Sequence, residues 1–252
     1  MEVNKVYLGD CIEIMKTFPD ECIDLIFADP PYNIGMKYDK WQDNLEYEKY
    51  VNWSEKWLTE AYRILKKTGS IYVAIGDEFA AEIVLIMKKL GLYMRNWIIW
   101  YYTFGQHQNR KFCRSHTHIL YFVKDFKKFT FNADKIRIPS ARQLVYKDKR
   151  ANPLGRIPDD VWCFSRVCGT FKERIADHPC QMPEAILERI ILASSNPGDI
   201  VLDPFGGTGT TAIVAKRLDR NFITIEISEN YYNLIIKRLK KKSFQQMNIN
   251  FF

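Results

Sequence analysis

Residues 200–227 admit few folds: a short apolar run, the turn Asp203-Pro204-Phe205-Gly206-Gly207-Thr208-Gly209, a helical pattern to Leu218 and a second apolar run from Phe222. Strand, glycine turn, helix and strand make a βαβ unit, whose crossover sets the two strands parallel in one sheet. Gly207 and Gly209 let backbone approach a ligand at the helix N-terminus, since no Cβ stands in the way. Read through Ala212, the pattern is G-x-G-x-x-A, and Glu226 follows about twenty residues later, where a carboxylate can hold a ribose diol. Two cofactor classes meet these requirements. A nicotinamide dinucleotide uses the helix N-terminus for its pyrophosphate, whereas S-adenosylmethionine needs the same acidic clamp and carries no phosphate. The glycines do not separate them.

The same rhythm fills the first half of the chain. A strand at residues 5–8 precedes a helix from Ile12 to about Phe18. The run Ile23-Asp24-Leu25-Ile26-Phe27-Ala28 reads as a strand buried on both faces, which places Asp29-Pro30-Pro31-Tyr32 at its carboxyl end, where open α/β sheets hold ligands. Two successive prolines remove two backbone donors and leave acceptors beside a carboxylate and an aromatic ring, a setting for a flat, amino-bearing molecule. Residues 33–44 form a long loop with Tyr38 and Trp41 as mobile aromatics. A helix is expected over 45–67, a strand over 70–75, a helix over 78–90, and two strands over 94–102 and 117–123 forming an antiparallel edge. Pro183 opens a helix to Ser194, and Ser228 caps a last helix through Leu239.

Between these halves, residues 125–177 break the rhythm. Prolines, glycines and many cations, interleaved with Phe131, Tyr146, Trp162, Phe164 and Phe171, suit a nucleic-acid backbone and unstacked bases. A net charge of +7 points the same way. The chain thus divides into residues 1–124, the insertion 125–177 and residues 178–252, with 1–124 and 178–252 as two halves of one α/β domain. The six cysteines include no CxxC pair, so reduced thiols are expected. Of Cys113, His116, His118, Cys163, Cys168, His178 and Cys180, only Cys163 and Cys168 approach a usual ligand spacing, and no metal is expected. No apolar run reaches the roughly 18 residues of a bilayer span, so a cytoplasmic protein without membrane contact is expected.

Asp29-Pro30-Pro31-Tyr32 together with the loop from Asp203 to Gly209 resembles the amino-methyltransferases that modify exocyclic nitrogens of DNA bases. The order, catalytic tetrapeptide before cofactor loop with the insertion between, is similar to the β-group. Gly9-Asp10, residues 69–73, His178-Pro179 and Glu226 extend the likeness along nearly the whole chain. Two departures stand out: Cys180-Gln181-Met182 replaces the usual Thr-Gln-Lys, and His116-Thr117 replaces a common His-Glu pair.

The resemblance implies a Rossmann-like, S-adenosylmethionine-dependent α/β fold in circularly permuted order, with a small target-recognition insertion. It implies Asp29, Pro30, Pro31 and Tyr32 as the catalytic set. The cofactor site is expected to draw on Asp10, Cys11, Asp203, Phe205, Gly207, Gly209, Thr210 and Glu226, and S-adenosylhomocysteine is the product. Tyr38, Trp41, Arg142, Lys147, Arg150, Arg156, Arg166 and Lys172 are candidates for touching double-stranded DNA. The leading Asp favours the N6 amine of adenine; the N4 amine of cytosine is the alternative, and an inactive nucleic-acid-binding module a further one. A cognate restriction endonuclease and a homodimer are expected partners.

Overall fold

A computed structural model describes residues 1–106, 109–169, 171–175, 178 and 180–249. Eight strands form one mixed sheet, β1 (Lys5–Leu8), β2 (Ile23–Ala28), β3 (Leu65–Ile75), β4 (Tyr93–Gln106), β5 (Arg114–Val123), β6 (Val161–Cys163), β7 (Ile200–Asp203) and β8 (Asn221–Glu226). Their order is β1-β8-β7-β2-β3-β5-β4-β6. The first five in that order run parallel, and β5 runs against both β3 and β4.

Alternation within the strands sorts side chains to two helical layers. Ile26, Ala28, Ile71, Val73 and Ile75 pack on the face covered by α1 (Cys11–Lys16), α2 (Tyr47–Ile64) and α3 (Ala80–Lys89). Leu25, Phe27, Tyr72 and Ala74 face α5 (Glu184–Ser194), α6 (Thr210–Arg217) and α7 (Glu229–Ile249). β2 sits near the middle of the sheet with both faces covered, as its apolar run Leu25-Ile26-Phe27-Ala28 requires.

Several boundaries differ from those expected. The helix expected over 45–67 ends at Ile64, because Leu65 is already paired with Ile23 as the start of β3. Lys66 turns out of that path to bond Asp24 at 2.7 Å. Pro183 is the N-cap of α5 rather than its first residue, with ψ 136° still extended. The two strands expected as an antiparallel edge pair as foreseen, but β4 is not the edge: β6, from within the aperiodic insertion, adds alongside it in parallel. Three residues are too few to show a period, yet Trp162 is buried and Arg189 from α5 lies over its ring at 5.1 Å. A short helix, α4 (Ala141–Leu144), and a 3₁₀ turn at Ala133–Lys135 complete the insertion. Asn132 anchors its start by donating to the carbonyls of Leu192 and Ser195 at the end of α5. No helix among the described residues is long and apolar enough to cross a membrane.

Trp57 on α2 is fully buried and meets Phe205 edge-on at 5.2 Å, so it joins the core to the glycine turn. Trp57→Ala is expected to cost about 3–5 kcal/mol in urea unfolding, against little change for the exposed Leu85→Ala. Equal stabilities for the two variants would contradict this packing.

Candidate active site

The carboxyl ends of β2, β7 and β8 open into one cavity of about 750 Å³. It is lined by Asp10, Cys11, Asp29, Pro30, Pro31, Tyr32, Asp203, Phe205, Gly207, Thr210 and Glu226, so nearly the whole sequence-derived set converges, together with Tyr38, Trp41 and Arg166. Gly209 stands one position behind the lining, as the N-cap of α6 with φ +74°. A side chain there would place its Cβ 2.7 Å from Ile235 Cγ2, which requires glycine twice over.

At the end of β2 the Tyr32 hydroxyl donates to Asp29 Oδ1 at 2.9 Å, and the Tyr50 hydroxyl from α2 donates to the Pro31 carbonyl at 2.6 Å. The segment that follows is pinned from behind by Asp43, whose buried carboxylate accepts the backbone N–H groups of Asn33, Ile34 and Met36. Asp43 was not singled out from sequence, where it reads as one more loop acid. Trp41, expected to be mobile, packs on Trp53 at 4.4 Å between centroids, and Asp39 ties the loop to Ser228 and Asn230. Apolar area beneath the loop explains the difference.

Three acids share the cavity floor. Burial raises the Asp29 carboxyl to about 6, although the Tyr32 hydroxyl opposes the rise. Asp203 is pushed up to about 8 by burial, against bonds from Thr211 Oγ1 at 2.6 Å and Phe205 N at 3.0 Å, with Asp29 and Glu226 adding like charge. Glu226 is raised by burial as well, while it accepts Gly207 N at 2.7 Å and Ser228 N at 2.8 Å. The ribose-clamp candidate thus also shapes the glycine turn.

Asp10 caps α1 by accepting Ile12 N and Glu13 N, and the Cys11 thiol is buried, which raises its pKa. His178 lies over the turn, its Nε2 3.2 Å from where a Cβ on Gly207 would fall; burial lowers its pKa to about 4, and its Nδ1 accepts Cys180 N. Pro179, the other half of that motif, and Asp177, which ends the insertion, lie outside the described residues.

The DNA candidates separate into two groups. Arg166 reaches the cavity, with its guanidinium 4.7 Å over the Tyr102 ring. Arg142, Lys147, Arg150, Arg156 and Lys172 are exposed on the insertion and do not line the cavity. Arg142 and Arg150 share Asp148, and Arg156 pairs with Asp159, so part of the expected positive charge is neutralised locally.

Sequence reasoning gave no site role to one further stretch of the lining and noted His116-Thr117 there only as a departure. Gly76, Glu78, Arg114, His116 and Thr117 form it, and Arg114 bridges Asp77 and Glu78. The signal was present: Gly76-Asp77-Glu78 follows β3 as Asp29 follows β2. Asp77, His116 and His118 bring three possible ligand atoms within 4.8 Å. Trp97 Nε1 donates to His118 Nδ1 at 2.8 Å, which keeps the ring proton on Nε2, 2.9 Å from Asp77 Oδ1. A nitrogen that donates in this way does not ligate a cation, so the group is a hydrogen-bonded chain. All six cysteines are free thiols.

Residues 23–237 match the profile of a family described as DNA methylase, which modifies N6 or N4 amines. The chain is 44% identical over 236 residues to type II methyltransferase M.HpaI of Haemophilus parainfluenzae, covering 93% of this chain and 74% of that one. It is 41% identical to DNA adenine methyltransferase YhdJ of Escherichia coli K12, covering 94% and 83%. Its fold matches the crystal structure of an M1.HpyAVI–SAM complex with a TM-score of 0.68 at 27% identity, covering 93% of this chain and 98% of that one. With the glycine turn, its acid and the Asp-Pro-Pro-Tyr corner in one cavity, and with matches along almost its whole length, this chain belongs to the N6/N4 DNA methylase family.

Proposed function

We propose that this protein methylates the exocyclic N6 amine of adenine at specific sites in double-stranded DNA, using S-adenosylmethionine. The observation that carries the proposal is the meeting of Asp29-Pro30-Pro31-Tyr32 with the Gly207 turn and Glu226 in a single cavity. The adenine target is supported by the name of the 41% identical relative, and site specificity by the type II names of others.

The residues fit the cofactor. A bare backbone at Gly207, a buried carboxylate beside it and three acids with raised pKa values suit a molecule that carries a ribose and a positive charge. When bound, S-adenosylmethionine supplies a methyl group on a cationic sulfur. Glu226 holds the ribose hydroxyls, Asp10 and the Cys11 backbone meet the adenine ring, and Phe205, Gly207, Gly209 and Thr210 surround the remainder. Asp203 braces the turn through Phe205 N and Thr211.

The amine of adenine is a weak nucleophile because its lone pair is delocalised into the ring. Tyr32 already holds Asp29 Oδ1, so Asp29 Oδ2 and the Pro30 carbonyl are the acceptors for the two amine hydrogens. Two acceptors draw the nitrogen toward tetrahedral geometry and stabilise the positive charge that grows during attack. Asp29 or water then takes the proton, and Tyr32 stacks on the base. A paired adenine cannot reach this floor, so the nucleotide must be flipped out of the duplex. Residues 125–177 supply target recognition, with Arg142, Lys147, Arg150, Arg156 and Lys172 against the phosphates and Arg166, Tyr38 and Trp41 nearer the base. The type II names of the relatives also support an endonuclease partner of the same site.

Digestion of DNA methylated by the purified protein should yield N6-methyl-2′-deoxyadenosine by mass spectrometry; N4-methyl-2′-deoxycytidine would instead establish the cytosine reading. Asp29 must be ionised to accept the amine hydrogens, so kcat/KM for the cofactor should rise with pH through a midpoint of about 6 and then level off. A profile flat across that range would remove Asp29 from the mechanism. Glu226→Gln cannot accept both Gly207 N and Ser228 N through charged oxygens, and cofactor Kd by calorimetry should rise about tenfold or more. An unchanged Kd would leave the clamp assignment without support.

A further inference from the structure

The hairpin between β4 and β5 carries Phe112, which is 99% exposed, the most open large apolar side chain among the described residues. Single exposed apolar residues are common and need no explanation by themselves. This one stands among Asn109, Arg110, Lys111 and Cys113, all exposed, on a hairpin whose Lys111 and Arg114 line the mouth of the catalytic cavity. The root is rigid. Arg114 is gripped by Asp77 and Glu78, and the Tyr102 hydroxyl donates across the hairpin to the His116 carbonyl at 2.9 Å. At Gly105 the strands approach so closely that a Cβ would run into the Arg114 carbonyl oxygen. A braced root thus carries a bare aromatic ring between cations, one residue from Lys111 in the cavity lining.

We propose that Phe112 is a wedge that enters the duplex and stacks in the gap left by the flipped adenine, while Arg110 and Lys111 hold the flanking phosphates. The proposal rests on the reading of the chain as a DNA adenine methyltransferase. A flipped nucleotide leaves its neighbours without a stacking partner, and an aromatic ring replaces that contact with any flanking base because every base has a π-face. A phenyl ring has no hydrogen-bonding groups, so the wedge adds to flipping without adding to sequence choice. The cations beside it act on the backbone, which likewise carries no sequence information.

The test uses the full chain and two duplexes with its mapped recognition site, one with the target adenine paired and one with it opposite an abasic position. Phe112→Ala should lower the single-turnover rate on the paired duplex about tenfold or more and leave the abasic duplex within about twofold of wild type, since an unpaired base is already cheap to extrude. Phe112→Trp should behave as wild type on both. With 2-aminopurine at the target, wild type should raise the fluorescence on binding and Phe112→Ala should not. Equal loss on both duplexes, or no loss on either, overturns the wedge. A wild-type protein that transfers no methyl group to either duplex overturns the enzymatic reading and this proposal with it.

Discussion

Everything at the site depends on the pairing of β2 with β7. These strands are about 175 residues apart in the chain and lie side by side in parallel, Leu25 against Val201 and Ile26 against Leu202. That register sets the Asp29 corner and the Asp203 turn at adjacent carboxyl ends of one sheet. Asp24 fixes it: one carboxylate oxygen accepts Ile200 N at 2.9 Å and the other accepts Lys66 Nζ at 2.7 Å, so β2 is tied to β7 on one side and β3 on the other. A slip of one residue would turn Asp29 away from the cavity and put Asp24 into an apolar layer.

The electrostatics of the cavity follow from that neighbourhood. Asp29, Asp203 and Glu226 are each disfavoured as anions by burial, and Asp203 is raised further by the charges of Asp29 and Glu226. The folded-state pKa of Asp29 lies above its ordinary 3.8, at about 6, so the fold binds its proton more tightly than the unfolded chain does. Its contribution to stability is full below the unfolded value and is lost as pH rises through about 6. The protein therefore carries a destabilising charge where catalysis needs an acceptor.

The βαβ units and both motifs were legible because each rests on short-range chemistry. An apolar run ending in Asp-Pro-Pro-Tyr, and a glycine turn followed by an acid, can be read without knowing the neighbours. What escaped notice depends on distant contacts. β6 is three residues long and exists because Trp162 has a core to enter and Arg189 to cover it. Asp43 looks like any loop acid until three backbone N–H groups converge on it. The cations of the insertion read as free charge, but Asp148 and Asp159 engage three of them. The helix expected through Lys67 stops at Ile64 because pairing of Leu65 with Ile23 outweighs the helical propensity of two lysines.

The central claim is that Asp29 acts on the amine and not on the cofactor or the fold. Single-turnover transfer and cofactor binding, measured side by side for Asp29→Ala, separate these roles. The account predicts a folded protein that binds S-adenosylmethionine within a few-fold of wild type and transfers its methyl group to DNA about a hundredfold or more slowly. Transfer at a rate near wild type, with cofactor bound normally, would contradict it.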